Sequence, residues 1–406
     1  MSAPWKSGLW KKGIGAFLVV FVLFLSGCGG IDLQVDRGWK QLVDSARGTE
    51  VTIAVAHSNP EYASWMTKAL GDALAAHKIR IKIVAIELEK ILPQLRSDKE
   101  NAVERGEYDL LIFDGDGFGM LKDEELLYGP FVERVRHIDL IDKTATSFRF
   151  RDATANGGYF APIGRKMLTL LFSEDILYDR PQNFEELFAT LGTLKGKGAY
   201  ADPRSTQEGE AFLLGYISQA MDVTPYLAPG RNLEAFRAEV REAMKPLKAI
   251  QPGLLASGSV FPTKIEDLFV EGQIYTSMSM DAAAVNRKMK AYEYPDTAKS
   301  YVLPNVGTYS SIAVIPHSSN NKSGAMVVIS ELLSPEMQAS KLEIGDMTIY
   351  HAGTPVEAME PLQKVKMYRG AVKFSAFLDC IAPDFDFELR KIVVEEWTSV
   401  VFRQQP

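Results

Sequence analysis

Apolar and polar positions along the chain follow two alternating periods, and the switches between them predict an order of strands and helices. Val51–Ala56 is a short β-branched apolar run, the pattern of a buried strand. It runs into His57-Ser58-Asn59-Pro60-Glu61, which is helix-start chemistry: Ser58 or Asn59 as cap, Pro60 in the first turn, and Glu61 three residues after Ser58. Tyr62, Trp65, Met66, Ala69, Leu70, Ala73 and Leu74 then recur at helical period, so Tyr62 and Trp65 are assigned to the core. Ile79, Ile81 and Ile83 alternate with basic residues at strand period. Leu110–Phe113 is a further strand and ends at Asp114-Gly115-Asp116-Gly117.

The second half continues in the same style. The pattern predicts a short strand over 197–201 and a helix over 207–221. It places a charged helix behind Asn232 to about 248, a strand over 274–278 and a helix over 282–290. A strand over 311–315 and a helix over 322–333 follow. Ser334-Pro335-Glu336 opens another helix, and a C-terminal amphipathic helix runs over 387–401. Strands alternating with helices predict an α/β protein with mostly parallel sheets. No internal repeat is present. A chain of 406 residues with 46% hydrophobic content exceeds one comfortable core, so two lobes are expected.

The N-terminus departs from this pattern. Lys6, Lys11 and Lys12 precede an uncharged run from Ile14 to Leu25, which is the length of a secretory signal core and short for a bilayer span. Leu25-Ser26-Gly27-Cys28 resembles the lipobox of bacterial lipoproteins. Residues 1–27 are therefore expected to be removed as a signal peptide, leaving Cys28 lipidated and facing a bilayer through acyl chains. Residues 28–48 are expected to form a tether with one short helix. Cys380 then has no partner for a disulfide, and its apolar neighbours Phe377, Leu378 and Ile381 suggest a buried thiol. Loss of three lysines with the signal takes the formal charge from −7 to −10, a poor balance for binding nucleic acid and a weak pointer to a cationic ligand.

Templates for catalysis are missing. The sequence holds no His-Glu-x-x-His, Walker loop, Gly-x-Ser-x-Gly or Cys-x-x-Cys, and its five histidines are scattered singly. Gly115-x-Gly117-x-Gly119 has the wrong spacing for a dinucleotide loop, and Asp114 with Asp116 lacks the rest of a calcium loop. No catalytic residue, metal site or cofactor is expected. Four strand-end loops stand out instead: 57–59, 114–118, 202–209 and 277–281. Ligands of open α/β sheets bind beyond the carboxyl ends of the strands.

Five blocks carry a family resemblance. The stretches 108–131, 158–167 and 199–203 with Gly209, Phe212 and Leu213 are similar to periplasmic solute-binding proteins of ABC importers, in particular a thiamine-type subset. So are 303–308 with 312–316, and Leu-Leu-Ser-Pro-Glu-Met-Gln-Ala at 332–339. Phe113 and Asp114 stand where that subset carries Trp and Asn. The resemblance implies a type II two-lobe fold with a ligand cleft between the lobes, closing by hinge motion. Lobe 1 would comprise 49–160 and 305–352, and lobe 2 would comprise 161–304, with 353–406 bracing lobe 2. Crossings are expected near 159–166 and 303–309. The implied protein is a monomeric receptor that captures a small solute and docks an ABC permease in the membrane. An alternative is a lipoprotein of the same fold acting as sensor or scaffold for a membrane signalling protein. The expected cleft residues are Ser58, Asn59, Asp114, Asp116, Phe118, Tyr159, Ser205, Thr206, Ser277, Asp281 and Tyr309. Asp114, Asp116 and Asp281 would neutralise a cationic group, and the three aromatic rings would stack.

Overall fold

The computed structural model describes residues 33–57, 59–175, 180–378 and 380–402. Cys28, the segment 1–27 and Ser58 lie outside the described residues.

Among the described residues, eleven strands form three sheets. In chain order they are β1 (Glu50–Ala56), β2 (Arg80–Ala85), β3 (Leu110–Phe113), β4 (Leu127–Tyr128), β5 (Phe150–Arg151), β6 (Thr154–Ala155), β7 (Ala161–Met167), β8 (Thr169–Ser173), β9 (Thr276–Ser279), β10 (Ala298–Tyr301) and β11 (Thr308–Pro316). The first sheet has the order β2-β1-β3-β11-β4, with β7 also paired to β11. The strands β2, β1 and β3 run parallel, whereas β11 runs antiparallel to β3 and to β7. Both faces of this sheet are covered. Val51, Ile53, Val55 and Ile112 join the large core with Tyr62, Met66 and Leu70, while Ala54, Leu111, Phe113 and Val314 pack with Leu88, Leu92, Phe118 and Phe160. Burial on both sides explains why β1 and β3 read as continuous apolar runs rather than alternating ones.

The second sheet is small, with the order β10-β8-β9, and antiparallel throughout. The expectation of mostly parallel sheets therefore fails in both lobes: in the first sheet only β1–β2 and β1–β3 run parallel, while β11 is antiparallel to β3, β4 and β7. The expected strand over 197–201 is also not a strand: Ala199 bonds through its N–H and its carbonyl to the hydroxyl of Thr276, a side-chain partner in place of a ladder. Aromatic packing fills this lobe. Tyr200 stacks on Phe212 at 4.8 Å, and Trp397 lies edge-on to Phe261 at 4.8 Å.

The lobes are joined at three places. β7 belongs to the first sheet, although 161–304 was expected to be the second lobe; the chain crosses at Leu168, directly between β7 and β8. The return runs over 302–307 between β10 and β11. Gly307 sits so close to the Ala211 carbonyl that any Cβ there would collide with it. The third passage is the C-terminal segment. Helix Val356–Gln363 packs on helix Pro335–Ser340 of the first lobe, Gly370 accepts a bond from Ser300 N, and Ile381 bridges Val306. Helix Phe387–Trp397 then packs on Gln207–Ala220 and Leu233–Ala243. The expected tether contains helix Leu33–Ala46, whose Leu42, Val43 and Ala46 are buried and which packs on helix Lys322–Leu332.

Local capping explains several helix starts. Asn232, Ser334, Thr206 and Asp281 each accept a bond from the backbone three residues on.

Candidate functional site

The loop after β1 is held from beneath by His57. Its ring stacks on Tyr62 at 3.9 Å, Nδ1 accepts from Asn59 N at 3.0 Å, and Nε2 lies 2.9 Å from Ser311 Oγ. Because Nδ1 is an acceptor, the neutral ring carries its proton on Nε2 and donates to Ser311. Burial pushes the imidazole below its ordinary pKa, against the pull of Asp114 at 3.8 Å. Ser311 itself sits at a register shift of the β7–β11 pair, so a bulge aims the hydroxyl at this loop.

The loop after β3 is pinned from the side by the turn between β5 and β6. Arg151 donates to the carbonyl of Gly115 at 2.6 Å, and Asp152 accepts from Gly117 N at 2.8 Å. Asp384 lies 3.3 Å from Arg151 and also accepts from Thr308 Oγ1 at 3.1 Å. The β3 loop is thereby tied to the return crossing.

Asp116 projects from that loop toward the second lobe. Arg390 Nη2 donates to its Oδ2 at 2.6 Å, and Arg390 Nε lies 2.8 Å from Glu210 Oε1. Arg390 Nη1 donates to the Phe385 carbonyl at 2.8 Å, and the guanidinium lies 5.8 Å from the centre of the Tyr309 ring. Burial pushes the Glu210 carboxyl up, against the pull of Arg390 and Tyr309. Burial and Glu210 likewise push the Tyr309 phenol up.

The lobes also meet at Ile344–Gly345. Asn59 Nδ2 donates to the Ile344 carbonyl at 2.5 Å within the first lobe, and the Asp281 carboxylate of the second lobe lies directly over the Cα of Gly345. Arg287, on the helix that Asp281 caps, donates to the Glu343 carbonyl at 2.8 Å. Three of the expected residues are thus at lobe contacts, Asp116 and Tyr309 at one and Asp281 at the other, while Asn59 braces from within the first lobe the segment that Asp281 meets. Asp114 stands between them beside His57.

Others are employed elsewhere. Phe118 is fully buried and packs edge to face on Phe160 at 4.8 Å, so it is core and presents no ring to a ligand. Tyr159 lies under Lys122, 5.0 Å from its ammonium, and against Gly129. Thr206 Oγ1 accepts from Gly209 N and donates to the Asp202 carbonyl at 2.7 Å. Ser205 is exposed and donates its N–H to Asp202. Ser277 is buried on β9, and among the described residues its hydroxyl has no hydrogen-bond partner. Glu210, Arg390 and Arg151 escaped the sequence reading, because each acts through a partner far away in the chain. Asp116 and Arg390 are 274 positions apart.

A cavity of about 340 Å³ lies beside β7, lined by Asp142, Thr146, Phe148, Arg165, His351 and Ile381. Burial lowers the Arg165 guanidinium to a pKa of about 10, and its Nη2 donates to the Ile349 carbonyl at 2.7 Å. Among the described residues, no group of three His, Cys, Asp or Glu is placed to hold a metal ion, and no helix is long and apolar enough to cross a membrane.

Comparison with known proteins agrees with this geometry. Residues 66–367 match the family model of bacterial extracellular solute-binding proteins. Protein YnjB of Escherichia coli (strain K12) is 22% identical over 318 residues, 75% of this chain and 80% of its own. Among solved structures, the cyclic α-maltosyl-1,6-maltose binding protein of Arthrobacter globiformis superposes with a TM-score of 0.61 at 14% identity, covering 86% of this chain and 94% of that one. The spermidine/putrescine ABC transporter substrate-binding protein PotD of Streptococcus pneumoniae superposes with a TM-score of 0.54 at 15% identity, covering 87% and 98%. The type II two-lobe α/β fold is common to them.

Proposed function

Because the chain belongs to the bacterial extracellular solute-binding proteins, we propose that it is the solute-capturing subunit of an ABC uptake system, held by a lipid on Cys28 at the outer face of the cytoplasmic membrane or on the outer membrane. The observation that carries this reading is the lobe geometry. Two α/β lobes joined by short crossings meet where Asp116 of the loop after β3 bonds Arg390, and where Asp281 and Arg287 of the second lobe reach residues 343–345 of the first. A solute lying there touches both lobes only when they close, so it shifts an open–closed equilibrium toward the closed form. The closed form is what a permease would recognise, and ATP would be hydrolysed by a separate subunit. The role calls for no bond-making step in this chain.

The solute is not fixed by the relatives, whose names speak of an oligosaccharide and of polyamines. The test is direct. Protein purified without denaturation is unfolded and the released small molecules are identified by mass spectrometry. A broad panel of solutes is then scored by thermal shift. A bound solute raises the melting temperature as its concentration exceeds its Kd. No released molecule and no stabilising solute across sugars, amines, amino acids and anions would overturn the reading. For the anchor, Cys28→Ser should abolish incorporation of labelled palmitate and free the protein from membranes. Persistence of both signals would refute lipidation.

A further inference from the structure

We infer that Arg390 is a latch between the lobes: it seats between Asp116 of the first lobe and Glu210 of the second and holds the two together. The inference rests on the two-lobe reading above and goes beyond it by naming a side chain that holds the lobes together.

Three observations support it. First, Arg390 travels with the second lobe. Its helix is fastened there by Arg231 to Asp386, by Arg237 and Arg241 to Glu396 at 2.9 and 2.7 Å, and by Trp397 Nε1 to the Tyr200 hydroxyl at 3.0 Å. Second, Asp116 stands on a first-lobe loop that is itself fixed by Arg151 and Asp152. Separation of the lobes must therefore break the 2.6 Å bond from Arg390 to Asp116, since neither end is free to follow the other. Third, the guanidinium is well used. Nη2 donates to Asp116 and Nη1 to the Phe385 carbonyl, while Nε lies at ion-pair distance, 2.8 Å, from Glu210 Oε1. The fork geometry of arginine suits this three-way role, which an ammonium could not fill with the same directions.

The latch also bears on specificity. Two carboxylates converge on one cation, with the Tyr309 ring beside them. A cationic group of a solute reaches those carboxylates only by displacing Arg390. The arginine thus decides which charge this end of the cleft accepts.

The test uses the full chain with donor and acceptor fluorophores at Glu104 and Lys264, which are exposed on opposite lobes. Without solute, Arg390→Ala should lower transfer efficiency, with the closed-to-open ratio falling on the order of ten-fold. Millimolar methylguanidinium should fill the vacated seat and restore efficiency in Arg390→Ala, while sodium chloride at equal ionic strength should not. In Asp116→Asn, a near-isosteric change whose folding is checked by its melting temperature, efficiency should fall and methylguanidinium should not restore it. Unchanged efficiency in Asp116→Asn, or rescue by salt as good as by methylguanidinium, overturns the latch. Neither result touches the solute-binding reading, which is decided separately by the released-ligand and panel experiments.

Discussion

Removal of the Asp346 carboxylate should damage the fold more than its place outside any regular element suggests. Asp346 and Lys341 are both completely buried, with Nζ 3.1 Å from Oδ2. Lys341 Nζ also donates to the Ile163 carbonyl on β7, and Gly164 next to it leaves the room the pair needs. Asp346→Ala leaves an ammonium with a carbonyl and no counter-ion, and breaking a buried pair in this way costs about 3–5 kcal/mol. At roughly 2 °C per kcal/mol for a chain of this size, the melting temperature should drop by about 6–10 °C. Lys341→Met should cost a similar amount, by stranding the carboxylate. The double change Lys341→Met with Asp346→Leu should recover most of the loss, because apolar side chains of similar volume carry no desolvation penalty. Dependence on pH supplies a further check. Burial pushes the Lys341 ammonium below its ordinary pKa, against the pull of Asp346. Without Asp346 that depression deepens, so the unfolded chain binds more protons than the folded one between the depressed value and about 10.4. Stability of Asp346→Ala should therefore rise with pH across that window, and its deficit should shrink. Urea unfolding read by Trp65, whose Nε1 donates to Ser340 Oγ at 2.9 Å beside the pair, measures all three variants. A loss below about 1 kcal/mol in Asp346→Ala, a deficit independent of pH, or a double variant as weak as the singles would refute the reasoning.

Other outcomes follow from the same contacts. Phe118→Ala should cost about 3–5 kcal/mol in unfolding while the folded fraction keeps its solute affinity, as calorimetry would show, because the ring is core and not cleft. Ser277→Ala should leave stability unchanged or raised by up to about 1 kcal/mol, since the buried hydroxyl has no partner to lose; a measured destabilisation would show an overlooked bond. Glu396→Gln should cost about 1–3 kcal/mol by weakening the bonds from Arg237 and Arg241. Burial pushes the Glu396 carboxyl up, but the two guanidiniums prevail and hold it below its ordinary value. Its contribution is therefore present above about pH 4.3 and lost as pH falls through the folded-state value. An acid-unfolding curve that is flatter in Glu396→Gln than in the parent protein would agree.

What was legible in the sequence is what local chemistry dictates. β3 over Leu110–Phe113 and helix Ala282–Lys290 fall where periodicity placed them, and the caps at Asn232 and Ser334 accept the bonds their positions imply. Tyr62 and Trp65 are buried, as their place on an apolar stripe required. Errors arose where the deciding partner is distant. The stretch 197–201 has strand composition, yet its neighbour offers a threonine hydroxyl instead of a ladder. β7 was assigned to the second lobe because a crossing strand reads the same whichever sheet receives it. Phe118 follows a strand-end loop, where ligands are expected, but the first turn of its helix rotates the ring inward onto Phe160. Cys380, expected to be buried, is half-buried.

The acidic loops pointed to a cationic solute, and the contacts weaken that inference. Acid-rich loops attract a cation only if their carboxylates are free. Asp116 holds Arg390, Asp384 holds Arg151, and Asp202 takes both arms of Arg204. Asp152 is occupied by the N–H groups of Gly117 and Gly119, and Asp281 caps its helix at Ala284. These acids are arranged to hold loops and lobes in place, with the chain supplying the cations. Net charge thus describes the surface of this protein better than the preference of its cleft. With these carboxylates engaged, a solute panel restricted to cations would follow the net charge of the chain and not the contacts of its loops, so neutral solutes belong in it.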